Sequence, residues 1–86
     1  MTGRDDVLEQ LRPLLDGRAK LPPGRELTAD MTLEQIDIDS VDLAFVFAHF
    51  ERHAGVSFAD DEVDVGRYAT VGDLADALGS KRADAA

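Results

Sequence analysis

The stretch that decides the fold is DIDSVDLAFVFAHFERH, residues 37–53, in which a serine lies between two aspartates at the start of an apolar run. From Ser40 to about Ala54 the run contains neither glycine nor proline, and Gly55 follows it as a suitable C′ residue. We therefore predict a helix over residues 40–54. When each residue advances the helix by about 100°, the apolar positions share one face, which we expect to form the core. The residues predicted on that face are Leu43, Val46, Phe47, Phe50 and Ala54.

Two more helices flank this one in the predicted fold. Apolar residues recur with helical spacing from Asp5 onward, and Asp16-Gly17 ends that helix. Thr70 caps a last amphipathic helix, which we expect to end at Gly79. A weaker pattern predicts a short helix over residues 60–68. The expected fold is all-α, a bundle of three main helices plus one short helix.

A long loop is predicted between the first and second helices, over residues 17–35. It has Pro-Pro-Gly at its centre and no sustained periodicity. Thr32 followed by Gln35 resembles a capping box and predicts one short turn at the end of the loop. The apolar residues expected to hold the loop to the core are Leu21, Leu27 and Met31.

Length and composition favour one small domain. The chain has 86 residues, is 44% hydrophobic and contains no cysteine, so no disulfide or thiolate metal cluster stabilises it. We expect a single domain over residues 1–79 and a disordered tail over residues 80–86. No apolar run approaches the roughly 20 residues of a membrane span, and the first ten residues lack the apolar core of a signal peptide. We expect a cytoplasmic protein.

The chain is strongly acidic, with a formal net charge of −9. All of this excess lies in residues 30–86, where thirteen acidic residues stand against four basic ones. Such a field repels nucleic acid and anionic membranes, and it speeds encounter with proteins that carry basic patches. We expect a monomer with protein partners, although the charge could serve solubility alone.

A catalytic role for Ser40 finds no support in the sequence. A serine nucleophile needs a base, an orienting acid and an oxyanion hole, and the chain has no GxSxG motif. Its two histidines, His49 and His53, lie two and a half or more turns along the same helix and are out of reach. We predict no catalytic residue. The alternative without any chemical role is that Ser40 only caps its helix.

Metal binding is also weakly supported. His49 and His53 stand at i and i+4, a spacing that can hold zinc, but the sequence HFERH lacks the glutamate that follows the first histidine in metalloproteases. The acidic run DDEVDVG has Val65 at position six of a calcium loop and Val71 at position twelve, in place of glycine and glutamate. We predict no metal ligand.

LEQIDIDSVDL, residues 33–43, resembles the signature of the acyl carrier protein family, and TVGDL, residues 70–74, is similar to the start of that family's last helix. The resemblance extends from Val7 to Leu78. It implies that Ser40 carries 4′-phosphopantetheine, donated from coenzyme A by a separate phosphopantetheinyl transferase. It also implies that Asp39 helps to hold the Mg²⁺ and basic side chains of that transferase.

The sequence departs from the family pattern at two positions. Asp37 occupies the place of a glycine, which puts the usual tight turn in question, although aspartate tolerates positive φ better than most residues. Val41 replaces the leucine after the serine and keeps an apolar contact with less reach. Neither change removes the hydroxyl of Ser40.

The resemblance implies a non-catalytic carrier. Such a protein holds an acyl, polyketide or aminoacyl group as a thioester on the arm and presents it to loading enzymes and to downstream synthase or tailoring enzymes. Two alternatives remain open from the residues themselves. One is an unmodified acidic helical adaptor that binds a basic protein surface, and the other is a small metal-binding or hydrolytic enzyme built around the histidines.

A partner-binding face is expected on the side of the second helix that points away from the core. The residues assigned to it are Val41, Asp42, Phe45, Ala48, His49 and Arg52. Because carrier proteins usually have acids here, Ala48, His49 and Arg52 suggest a partner surface that is less basic than usual. The alternative is that the loop of residues 17–35 folds over Phe45 and buries it.

Overall fold

A computed structural model of the chain describes residues 4–85 and the side chains of residues 5–81. It contains three α-helices: α1 Arg4–Leu15, α2 Ser40–Ala54 and α3 Val71–Ala85. Two 3₁₀ turns, Asp60–Glu62 and Val65–Arg67, lie between α2 and α3. Apart from one isolated bridge between Thr32 and Thr70, residues 4–85 form no β-structure. The predicted all-α bundle and its long first loop are confirmed.

The core forms where α1 packs on α3 and on α2. Four of the five residues predicted on the core face of α2 are buried, and the fifth, Ala54, packs partly buried at the edge. The turn ahead of α2 and the start of α3 complete the core. No helix within residues 4–85 is long and apolar enough to cross a membrane. The fully buried core residues with large side chains include Phe47, Phe50, Leu11, Leu15, Leu33 and Ile36.

The long loop is tied to the bundle along its length. Leu27 is buried, while Leu21 and Met31 pack partly buried against the core, as expected. The N–H of Val71 donates to the Met31 carbonyl at 2.9 Å, which joins the loop to the start of α3. The predicted capping box between Thr32 and Gln35 is confirmed, since each side-chain oxygen accepts the other residue's N–H at 3.0 Å. The approach to α2 is therefore held by side-chain burial and by hydrogen bonds.

The short helix predicted over residues 60–68 is wrong in detail, because two separate 3₁₀ turns replace it. The side chain of Asp64 accepts the N–H of Gly66 at 3.0 Å and so starts a second turn. Local side-chain bonding of this kind competes with a continuous helix. Three apolar side chains of this segment still reach the core: Tyr68 is buried, and Val63 and Val65 are partly buried.

The predicted end of the last helix at Gly79 is also wrong. Helix α3 continues to Ala85, so residues 80–85 are helical where a disordered tail was expected; Ala86 lies outside the described residues. A glycine inside a helix costs only about 1 kcal/mol, which tertiary contacts can offset. Lys81 makes such contacts, with its Nζ 3.1 Å from the Glu62 carboxylate and 5.6 Å from the Phe58 ring centroid.

Candidate functional site

Ser40 is the first residue of α2, and it is exposed. The residue that caps the helix is Asp39, which has extended backbone angles (φ −110°, ψ −176°) and accepts the N–H of Asp42 at 3.0 Å. The interpretation of Ser40 as the helix cap is therefore wrong. Within the part of the chain that the structure describes, the Ser40 hydroxyl makes no hydrogen bond. It is available for chemistry at the surface.

The turn ahead of Ser40 is built by two buried isoleucines with an exposed residue between them. Ile36 and Ile38 are buried, and the N–H of Ile38 donates to the Leu33 carbonyl at 2.9 Å. Asp37 adopts φ +58°, the left-handed region that glycine would occupy. The expectation that aspartate could take over from glycine is confirmed. This turn delivers Ser40 to the surface at the start of α2.

Two basic side chains from the loop after α1 approach the acidic residues around Ser40. Lys20 pairs with Asp37 at 3.1 Å, and Arg18 pairs with Asp42 at 3.2 Å. Sequence reasoning missed both cations because their partners lie 17 and 24 residues further along the chain. The only available signal was the balanced charge of residues 1–29 beside the acidic remainder.

The carboxylate of Asp39 remains ionised at neutral pH. The backbone N–H of Asp42 donates to it, and this hydrogen bond lowers the pKa of Asp39 from its ordinary value. Asp42 differs, because one of its oxygens accepts the N–H of Asp39 at 3.1 Å and the other is bound by Arg18. The side chain of Asp42 is only 16% exposed. It therefore supports the helix start and offers little charge to solvent.

The outward side of α2 exposes two large apolar side chains, Val41 at 70% and Phe45 at 39%. The loop does reach Phe45, but it does so through Arg18, whose guanidinium carbon lies 3.9 Å from the ring centroid. Phe45 is thus neither buried by the loop nor fully free. Ala48 and Arg52 are exposed further along the same helix.

His49 and His53 contact each other on α2, with ring centroids 4.3 Å apart. His49 is half-buried and meets the Phe50 ring edge-on. Burial lowers the pKa of His49 below its ordinary value, and the nearby His53 and Arg52 lower it further. Among residues 5–81, no group of three or more histidine, cysteine, aspartate or glutamate residues is arranged to hold a metal ion.

An open cleft of about 580 Å³ begins beside Asp39. It lies between the turn ahead of α2 and the second 3₁₀ turn. These two segments are roughly 30 residues apart in the sequence, so local sequence patterns could not predict the cleft. Tyr68 forms part of its wall and is held there by a hydrogen bond from its hydroxyl to the Glu62 carbonyl at 2.7 Å. The residues that line the cleft are Thr32, Leu33, Glu34, Asp37, Ile38, Asp39, Val65, Gly66, Tyr68 and Ala69.

Comparison with known proteins finds a match over most of the chain. The family model described as a phosphopantetheine attachment site matches residues 9–78. The fold is similar to NMR solution structures of a 3,5-dioxohexyl ACP, a triketide mimic, from the actinorhodin polyketide synthase of Streptomyces coelicolor. That similarity covers 100% of this chain and 96% of the other, with 29% sequence identity and a TM-score of 0.68. No curated protein matches this chain.

Proposed function

The chain belongs to the acyl carrier proteins, the family with a phosphopantetheine attachment site, and from this premise we propose that Ser40 carries the prosthetic group. Three observations support Ser40. It lies within the matched residues, it is exposed at the first position of α2, and its hydroxyl has no internal partner in the described chain. Ser57 lies in a loop and Ser80 lies within α3, so neither has a helix start beside it.

The surroundings of Ser40 fit a phosphodiester. The N-terminus of a helix favours an anion because its first N–H groups and the helix dipole both attract negative charge. The nearby carboxylates oppose an anion, but Lys20 and Arg18 offset Asp37 and Asp42. In the attached group, the terminal thiol supplies the bond to the cargo, and this chain, which has no cysteine, brings no competing thiol.

We infer that the cargo is a polyketide intermediate held as a thioester. The similar solution structure is of a carrier from a polyketide synthase that bears a triketide mimic, and the likeness spans the whole of this chain. This observation favours polyketide cargo over the acyl and aminoacyl alternatives. In this role the chain is the substrate of a phosphopantetheinyl transferase, and it presents its cargo to the enzymes of a synthase without catalysing their reactions.

The outward face of α2 is the proposed contact with those enzymes. Val41 and Phe45 are the large apolar side chains that are exposed within residues 5–81, and both lie within about one and a half turns of Ser40. Ala48, His49 and Arg52 continue this face. Asp42 belongs to the face as well, but one of its oxygens accepts the N–H of Asp39 and the other is bound by Arg18, so it offers a partner little free charge. Exposed apolar side chains beside an attachment point suit a docking surface.

The test is to incubate the purified chain with coenzyme A, Mg²⁺ and a broad-specificity phosphopantetheinyl transferase, and then to measure its mass. We expect the mass gain of one phosphopantetheine group, located on Ser40 by fragmentation. If the folded chain gains no mass, the alternative of an unmodified acidic adaptor stands. If the gain is located on Ser57 or Ser80, the assignment of Ser40 is wrong although the carrier function holds.

A further inference from the structure

We propose that Arg18 determines partner preference by covering Asp42 and Phe45, so that this carrier disfavours partners with a basic docking surface. The inference rests on the proposed function, because it concerns the face of α2 through which partners reach Ser40. It goes further in naming a residue outside α2 as the determinant and in stating which partner charge that residue opposes.

The geometry brings two contacts together on one side chain. The Nη1 of Arg18 lies 3.2 Å from Oδ1 of Asp42, and the guanidinium carbon lies 3.9 Å from the centroid of the Phe45 ring. Asp42 and Phe45 are three residues apart, hence neighbours on the surface of a helix. One guanidinium therefore covers the acid nearest the start of the face and the aromatic ring beside it.

The cover changes the charge that the face presents. Asp42 is 16% exposed beneath Arg18, while the Arg18 side chain itself is 36% exposed. Further along, Arg52 is exposed and makes no ion pair within the described chain. Although the protein carries nine excess negative charges, this face offers apolar side chains between two guanidinium groups. A basic partner surface meets repulsion here unless Arg18 moves aside.

Lys20 provides a matched comparison. It belongs to the same loop and also pairs with an acid close to Ser40, since its Nζ lies 3.1 Å from the Asp37 carboxylate. Asp37, however, precedes α2, and the cation–π contact with Phe45 is made by Arg18 and not by Lys20. Replacing either residue by glutamine removes one positive charge, but only the replacement of Arg18 uncovers the face of α2.

The cover is weak enough to open. The Arg18–Asp42 ion pair and the Arg18–Phe45 cation–π contact both lie at the surface and are partly exposed, so each is modest. We expect that removing both improves docking of a basic partner by about three- to tenfold. The gain should appear in KM, because it concerns encounter and binding, with kcat little changed. It should also shrink at high salt, since screening weakens the attraction of an uncovered carboxylate.

The experiment measures conversion of the apo chain to the holo form by a broad-specificity phosphopantetheinyl transferase, which must approach Ser40 past this face with its Mg²⁺. We would compare the wild type with Arg18→Gln, Arg18→Lys and Lys20→Gln, each checked for helicity by circular dichroism. Arg18→Gln should lower KM by about three- to tenfold at low salt. Arg18→Lys should lie between, because lysine keeps the charge but not the planar stacking. Lys20→Gln should change KM less.

A second measurement assigns the effect to Asp42. When Asp42→Asn is already present, adding Arg18→Gln should no longer lower KM. A double-mutant cycle reports this difference as coupling between the two residues. An unchanged KM for Arg18→Gln would overturn the proposal. A raised KM would also overturn it, because Arg18 would then itself be a contact with the partner. An equal gain in Lys20→Gln would also overturn it, by reducing the effect to net charge. Failure of the wild type to load contradicts the proposed function instead.

Discussion

Asp39 and Asp42 cap the start of α2 reciprocally: the side chain of Asp39 accepts the N–H of Asp42 at 3.0 Å, and the side chain of Asp42 accepts the N–H of Asp39 at 3.1 Å. Two acidic side chains thus satisfy N–H groups that the helix leaves unpaired. Ser40, which lies between them together with Val41, is therefore not needed to cap the helix. The hydroxyl of Ser40 can then be modified without loss of the helix start.

Ser40→Ala should abolish the mass gain with coenzyme A and a transferase while leaving the thermal midpoint almost unchanged. Alanine is a good helix former, and the cap does not depend on residue 40. Mass spectrometry after loading and a melt followed by circular dichroism check the two parts. A variant that still gains the phosphopantetheine mass would refute Ser40 as the attachment residue.

Asp39→Ala should lower the melting temperature by about 4–8 °C, the shift expected for loss of one helix cap in a domain of this size. Asp39→Asn is the matched control, because asparagine also caps helices well and should retain most of the stability. A melting temperature for Asp39→Ala equal to that of the wild type would contradict the role of Asp39 as the cap.

The sequence predicted most of the bundle, because α2 combines strict apolar periodicity with no glycine or proline before Gly55. It did not identify the cap. Aspartate and serine are both favoured at N-caps, so the choice between Asp39 and Ser40 depends on a shift of one residue that only the backbone reveals. The prediction of where α3 ends was wrong for a different reason. Gly79 is a local stop signal, and contacts made by Lys81 with distant residues override it.

The candidate site also has a part that the sequence predicts and a part that it does not. The serine, the acids beside it and the exposed side chains of α2 follow from a local motif and from helix geometry. Arg18 does not, because its contacts with Asp42 and Phe45 join residues 24 and 27 positions apart. Their meeting depends on the path of a loop without periodicity. The loop was predicted, but its course was not.

Asp37→Gly should leave stability nearly unchanged, whereas Asp37→Val should cost about 1–2 kcal/mol. The reason is the φ of +58° at this position, which glycine adopts freely and a β-branched residue adopts only with strain. Loss of the pair with Lys20 is common to both variants and cancels in the comparison. Denaturant melts of the two proteins check the difference. Equal stability would mean that the turn does not require a left-handed residue in solution.

The unfolding free energy should fall as the pH is lowered from above 6.5, the ordinary pKa of histidine, through the lower pKa of folded His49. Burial disfavours the charged imidazole in the folded state, so the unfolded chain binds the proton more tightly and stability rises with pH in this window. His53 and Arg52, which face His49 on the same helix, act in the same direction. In His49→Gln this part of the slope should disappear. A slope unchanged from the wild type would exclude His49 as its source.

Phe45→Ala should cost about 1 kcal/mol in stability, because the protein loses the cation–π contact with Arg18 and only part of the ring's surface is buried. Phe47→Ala is the matched control on the core face. Phe47 is 2% exposed and stacks on Phe58 with centroids 4.5 Å apart, so its removal should cost about 3–5 kcal/mol. If the outward face docks partners, Phe45→Ala should slow loading by the transferase while the protein remains folded. Conversely, a loss as large as that of Phe47→Ala, with normal loading of the folded fraction, would make Phe45 a core residue and remove it from the docking face.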